Sequence, residues 1–290
     1  MYALDALDAM IADAVSTTPP IVFNTLVVCA LLVPALALVY NVYSCECATP
    51  PRLRYFFVEG AIGGGKSTLL ERTQTRLAAL LGNERCTLVV VPEPLDLWTN
   101  VDGHNILQLF YDDPTRWAYA FQVHAMSTRV RAVRTAIERT PDGGSAPDTI
   151  VLCERSVFTD RHIFVETLHA AGTLTDAERA LYVHAYDFFT SFVYAGDVGG
   201  VIYMRTSPEM CAEHIRLRDR TEEAAVKIDY LRTLHESHEA AIARSDTWAG
   251  APRLIVDVRT ELANLPSDDA VADSAAQRLY EFIIKDAARV

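Results

Sequence analysis

Gly60-Ala-Ile62-Gly63-Gly64-Gly65-Lys66-Ser67-Thr68 carries the pattern G-x4-G-K-S. Glycines at such places leave consecutive backbone N–H groups free to turn inward around a phosphate, because no Cβ blocks the approach or the positive φ angles. In this type of loop the lysine reaches the β- and γ-phosphates and the hydroxyl meets Mg²⁺. The stretch from Gly60 through Ile62, Gly63, Gly64 and Gly65 to Lys66, Ser67 and Thr68 is therefore expected to bind a nucleoside triphosphate with Mg²⁺. Glu93 sits between Pro92 and Pro94 with Trp98 close behind. A carboxylate held near a phosphate site can take a proton from an attacking hydroxyl, although a solvated turn acid uses the same letters. Glu154-Arg155-Ser156 and Asp160-Arg161 offer a carboxylate for Mg²⁺ and a guanidinium for transferring phosphate charge; a surface ion pair is the alternative. The basic segment Glu213–Glu223, with Arg218 and Arg220, fits a lid closing over a triphosphate or a solvated charged helix. Gln122, Ala125 and Arg129 lie at i, i+3 and i+7, on one face of an expected helix, and a glutamine amide suits a base edge.

Positioning these groups requires elements that end at one edge. Apolar runs at 54–59, 87–91, 149–153, 200–205 and 253–257 read as strands separated by helical stretches. Near-continuous apolar strands of this kind belong to a parallel five-stranded sheet with helices on both faces, a P-loop NTPase-type α/β fold. Ligands bind outside the carboxyl ends of such strands, where the P-loop, Glu93 and Glu154 all fall. The turn-rich segment 137–148 reads as a surface loop. His235-Glu-Ser-His238 has its histidines at i, i+3 rather than the i, i+4 of a zinc helix, and is expected on a helix surface.

The chain has 290 residues, 50% of them apolar, and a net charge of −12, which argues against a nucleic-acid surface. Its six cysteines fit neither a disulfide framework nor a zinc pattern. Residues 1–20 form an acidic tail. The uncharged run 21–43 has the length of a bilayer-crossing helix, with Arg52 and Arg54 following a linker at 44–53. A cleavable signal wants a basic start and a shorter apolar core, and a transit peptide wants arginines. The expectation is a transmembrane helix over 21–43 that anchors a cytosolic domain of residues 54–290, with a soluble cytoplasmic protein as the alternative. Cys45 and Cys47, just past the apolar run, are either palmitoylation sites or two unmodified linker cysteines.

Together the motifs resemble the deoxyribonucleoside kinase family, in its deoxycytidine and deoxyguanosine kinase-like branch. The resemblance rests on the P-loop, Glu93-Pro94 with Trp98, Tyr111–Gln122, Glu154–Phe164, Arg205–Glu209 and Arg218–Glu223. It implies an ATP-dependent enzyme that phosphorylates a deoxynucleoside on its 5′-hydroxyl, and a homodimer. By the same resemblance Glu93 is the base, Arg155 holds the 5′ oxygen, and Ser67 and Glu154 stand on the magnesium side. Tyr111 and Glu223 meet the 3′-hydroxyl, Gln122 reads the base, Phe164 stacks on it, Trp98 and Phe121 line the pocket, and Arg218 and Arg220 contact ATP phosphates. An Arg129–Asp160 pair is the pattern of the deoxycytidine and deoxyguanosine branch. A charged pair in a dry pocket would orient Gln122 and fill the space of a thymine methyl, so deoxycytidine is favoured, with purine deoxynucleosides possible. His214 departs from the family, which has the first lid arginine there, so donor handling is expected to differ. A thymidine or broad-range kinase is the nearest alternative. A catalytically inactive, membrane-tethered nucleotide-binding module is the alternative of another class.

Overall fold

The computed structural model describes residues 52–84, 86–140, 148–193, 197–244, 246–262 and 267–287. Strands β1 Arg52–Glu59, β2 Cys86–Val91, β3 Asp148–Glu154, β4 Asp197–Arg205 and β5 Arg253–Asp257 form one sheet. All neighbours pair in parallel, in the order β2-β3-β1-β4-β5. The helices are α1 Lys66–Gly82, α2 Asp96–Thr99, α3 Ile106–Asp112, α4 Pro114–Glu138 and α5 Val157–Thr159. Then follow α6 Glu166–Ala170, α7 Asp176–Val193, α8 Pro208–Arg218, α9 Ile228–Ala243 and α10 Asp268–Ala287. A π-helical turn, Asp160–Val165, joins α5 to α6.

The central strand explains the layering. Tyr55, Phe56, Phe57 and Val58 are all sealed from solvent, and successive side chains leave opposite faces of a strand. Tyr55 and Phe57 join a core with α4 and α9, whereas Phe56 and Val58 join a second core with α1 and α10. Both faces are thus covered, so the strand carries no polar alternation. Local chemistry starts the helices that carry the site. Asp113 accepts from Arg116 N and Pro114 occupies the first turn of α4; Ser207 and Pro208 do the same for α8.

The expected strands all form, with β1 beginning two residues earlier and β4 three residues earlier than the apolar runs. The loop expected at 137–148 is shorter, because α4 continues to Glu138 and β3 starts at Asp148; residues 141–147 lie outside the described residues. His238 corrects the expectation of a helix surface. It is buried, stacked on Tyr203 at 6.0 Å, with Nδ1 bonded to Leu234 O at 2.6 Å, since the face of α9 that carries it packs on the sheet.

The membrane-anchored reading, with its membrane partner and location, is also overturned. Among the described residues no helix is long and apolar enough to cross a membrane. The helices are two-faced instead: in α1, Leu70, Thr73 and Leu77 are buried while Glu71, Arg72 and Gln74 are exposed. The acidic tail, the segment 21–43 on which that reading stood, and Cys45 and Cys47 lie outside the described residues.

Candidate active site

The phosphate loop connects β1 to α1. Gly60, Gly63 and Gly65 take φ values of 147°, 75° and 85°, which a side chain would resist. Close approach adds to this at Gly63, where a Cβ would stand 2.5 Å from Cys211 O. Lys66 is buried, with Nζ donating to Ala61 O at 2.9 Å. Burial, with help from Arg155, pulls its ammonium down to about 8, against the opposing pull of Glu154, Glu93 and Glu59. Ser67 Oγ donates to Glu154 Oε1 at 2.8 Å, across from the end of β3. A hydroxyl and one carboxylate side by side fit Mg²⁺, which keeps several waters and takes its remaining ligands from phosphate. Ile62, Gly63, Gly65, Lys66, Ser67 and Thr68 line a cavity of about 920 Å³; Gly60 and Gly64 shape the loop behind them.

Glu93 and Arg155 meet at the mouth of that loop. Arg155 has φ 64°, a left-handed conformation costly for a non-glycine residue, and it turns the guanidinium back over β1. Its Nη1 donates to Gly60 O at 2.7 Å, its Nε lies 3.2 Å from Glu93 Oε1, and its guanidinium carbon sits 5.0 Å above the Phe164 ring. Arg129 arrives from α4. It donates to Glu93 Oε1 at 3.1 Å, to both Asp160 oxygens at 2.9 and 3.2 Å, and to Glu154 O at 3.0 Å. One carboxylate oxygen is therefore shared between two guanidinium groups. Burial pushes the Glu93 carboxyl up, but Arg155, Arg129 and Lys66 together outweigh it and hold the group below the usual glutamate range. Burial raises Asp160 against the pull of Arg129.

Behind this centre lies an aromatic pocket. Trp98 and Phe121 meet edge-on at 5.5 Å, Phe110 stacks on Phe121 at 4.8 Å, and Trp98 Nε1 is satisfied by Thr128 Oγ1 at 2.8 Å. Gln122 is buried in the wall, and among the described residues its amide makes no hydrogen bond. Tyr111, whose hydroxyl is pushed up by burial and then by Tyr230 and Glu223, lines the same wall. Glu223, in the 3₁₀ turn Thr221–Ala225, is held by Arg218 at 2.5 and 2.6 Å and approached by Arg220 at 3.6 Å. Such a site can seat a planar ring, a hydroxyl-bearing linker and an anionic chain in line. That is the geometry of phosphate transfer to an alcohol.

The deoxynucleoside kinase family profile matches residues 56–283. The chain belongs to the deoxynucleoside kinase family. Among curated relatives, deoxycytidine kinase 2 of Gallus gallus is 32% identical over 73% of this chain and 85% of its own length. A probable deoxycytidine kinase of fowlpox virus is 36% identical over 65% of this chain and 72% of its own. The mitochondrial deoxyguanosine kinase of Xenopus laevis is 30% identical over 78% of this chain and 88% of its own. The chain is accordingly a phosphotransferase, and the reading as a module without catalysis falls away.

In this kinase Glu93, Trp98, Tyr111, Phe121, Gln122, Arg129, Glu154, Arg155, Asp160, Phe164, Arg218, Arg220 and Glu223 all line the one cavity. One contact differs from expectation. Arg129 and Asp160 make no hydrogen bond to Gln122; the pair instead braces Glu93 and the end of β3. Other participants escaped sequence reasoning. Phe110 and Tyr230 line the pocket, and Phe110 stood inside a helical pattern without any chemical mark. Glu59 is fully buried and accepts from Ser156 Oγ at 2.6 Å, while Trp248 Nε1 reaches the same hydroxyl at 3.3 Å. This network ties the start of the phosphate loop to the residue after Arg155. Burial pushes the Glu59 carboxyl up to about 7, against its bond to Ser156 and the charge of Arg155. A charged residue ending the apolar run Tyr55–Val58 was the available signal.

Proposed function

We propose that this kinase transfers the γ-phosphate of ATP to the 5′-hydroxyl of deoxynucleosides of the deoxycytidine and deoxyguanosine type, within a kinase domain of residues 54–290. The observation that carries the reading is the Glu93 carboxylate, set beside the phosphate loop and fixed by Arg129 and Arg155 on one oxygen. Its other oxygen is left to accept the proton of the sugar hydroxyl, and Arg155 steadies the oxygen that attacks. Lys66 and the loop amides hold the β- and γ-phosphates, with Arg218 and Arg220 folding over them. Ser67 and Glu154 would hold Mg²⁺, which would supply neutralisation of phosphate charge. Tyr111 and Glu223 take the 3′-hydroxyl, Phe164 and the Trp98–Phe121 pair enclose the base, and Gln122 meets its edge.

A broad range within this substrate type is the reading best supported, since relatives named for deoxycytidine and for deoxyguanosine stand at 32% and 30% identity. A preference for deoxycytidine is the narrower reading, favoured by the buried Arg129–Asp160 pair, whose bulk on this reading would fill the space of a thymine methyl. Radiolabelled phosphate transfer from ATP, with the four deoxynucleosides offered singly and in competition, tests both. Phosphorylation of deoxycytidine and the purine deoxynucleosides ahead of thymidine is expected. Preferential use of thymidine defeats the argument from the pair, and no transfer to any deoxynucleoside defeats the proposed function.

A further inference from the structure

Helix α8 rests directly on the phosphate loop. Gly63 comes so close to Cys211 O that no side chain fits between them, and Thr206 Oγ1 donates to Gly64 O at 3.0 Å just before the helix begins. In the next turn His214 Nδ1 lies 2.7 Å from Gly63 O. A carbonyl only accepts, so Nδ1 carries a proton, and this decides what the other ring nitrogen can do. In the neutral ring Nε2 is an acceptor; only in the imidazolium is it a second donor. His214 forms part of the cavity wall, and among the described residues no hydrogen bond engages Nε2. A lone pair presented to a polyphosphate repels it, whereas an N–H would hold it by a charge-assisted bond.

We infer that His214 takes up a proton as the triphosphate enters, so that donor binding by this kinase is linked to pH through a ring that both braces the phosphate loop and contacts phosphate. The inference rests on the reading of the cavity as the ATP site. An arginine in this position would stay charged throughout, and the linkage would not exist. On α8 itself the charged neighbours are Glu213, Arg216 and Arg218. Glu213 is engaged by Arg216 at 2.7 Å and Arg218 by Glu223, so neither bonds the ring, although Glu213 lies near enough to feel its charge. From the loop and α1 the cavity receives Lys66, Glu71 and Arg72; Arg220 and Asp268 also line it, and Arg72 pairs with Asp268 at 2.9 Å. On α9, Arg232 is divided between Glu209 and Asp229.

Calorimetric titration of Mg²⁺–ATP into the full chain, without nucleoside, in two buffers of different ionisation enthalpy counts the protons taken up. Near neutral pH the native chain is expected to gain protons, and its Kd for ATP to rise roughly tenfold over two pH units, the size of one unit of linkage. His214→Arg is expected to bind with only the smaller uptake that Lys66 and the nucleotide contribute and a flatter Kd, and His214→Asn to bind weakly with the same smaller uptake. The Asn variant also subtracts protons carried by the nucleotide. ATP binding by the native chain with no more uptake than His214→Arg overturns the inference and leaves the ATP site standing. No ATP binding at all overturns the reading of the site, and the inference with it. Where His214→Arg fails to fold, His214→Asn serves as the comparison, and uptake by that variant equal to the native chain's overturns the inference.

Discussion

Replacing Glu93 by Gln removes one charge and keeps the shape. The amide oxygen can still accept from Arg129 Nη2 and Arg155 Nε, which stand at 3.1 and 3.2 Å in the native site. Arg129 also keeps both oxygens of Asp160 and the carbonyl of Glu154, and Arg155 keeps Gly60 O, so neither guanidinium is left bare. Weakening two charge-assisted bonds to neutral ones costs about 1–3 kcal/mol of stability, which a folded domain survives. Chemistry suffers more. An amide takes no proton, and a positioned base contributes roughly 10²–10⁴-fold, or about 3–5 kcal/mol of barrier. Single-turnover phosphate transfer should therefore fall by roughly two to four orders of magnitude, while nucleoside affinity measured by calorimetry stays within about tenfold. The native pH profile should agree. With the carboxyl held below its usual range by Arg155, Arg129 and Lys66, Glu93 stays ionised at neutral pH, and the acid limb of kcat/KM should lie below the normal glutamate range. Its contribution to stability has the same sign: present above the unfolded carboxyl's pKa and lost as pH falls through the lowered folded value. Transfer by Glu93→Gln within a few-fold of native would place the base elsewhere and refute the reasoning.

Gly63→Ala should disrupt the phosphate loop, since φ 75° and a contact of 2.5 Å with Cys211 O leave no relaxed solution; a loss of about 1–3 kcal/mol in urea unfolding is expected, with weakened ATP binding. Arg129→Met leaves Asp160 buried without its cation and should lower stability by about 3–5 kcal/mol, whereas Arg129→Met with Asp160→Ala together should recover part of that loss in the same thermal scans. Glu59 runs opposite to Glu93 in pH. Its folded pKa is raised from 4.5 to about 7, so the native state holds the extra proton and stability falls as pH rises across that window. Glu59→Gln should therefore match the native chain near pH 5 and exceed it near pH 8, by an amount on the order of 3 kcal/mol. Parallel stability profiles for the two proteins would show that Glu59 does not titrate in this way.

The phosphate loop was legible because its donors are contiguous: strand, glycine turn and helix follow one another within a few residues, and backbone geometry does the binding. The five strands were legible for a related reason. A strand covered on both faces must be apolar throughout, as Tyr55–Val58 is, and no polar alternation confuses the reading. Phe110, Tyr230 and the burial of His238 were not legible, since nothing in their own neighbourhoods marks them. Phe110 reads as any helical core residue, and His238 reads as polar until α9 is laid on the sheet.

By itself the sequence determined which chemistry is present: a triphosphate loop, a carboxylate between prolines, and acid and guanidinium at the end of a buried strand. Which of these groups touch was decided only by the tertiary structure. Arg129 reaches Glu93 across 36 residues, and His214 reaches Gly63 across 151. The physical reason is range. Backbone conformation and hydrophobic period act over neighbouring residues and leave their mark in the order of letters. A hydrogen bond between distant side chains exists only once the sheet has brought its strand ends to a common edge, and no local pattern encodes that meeting.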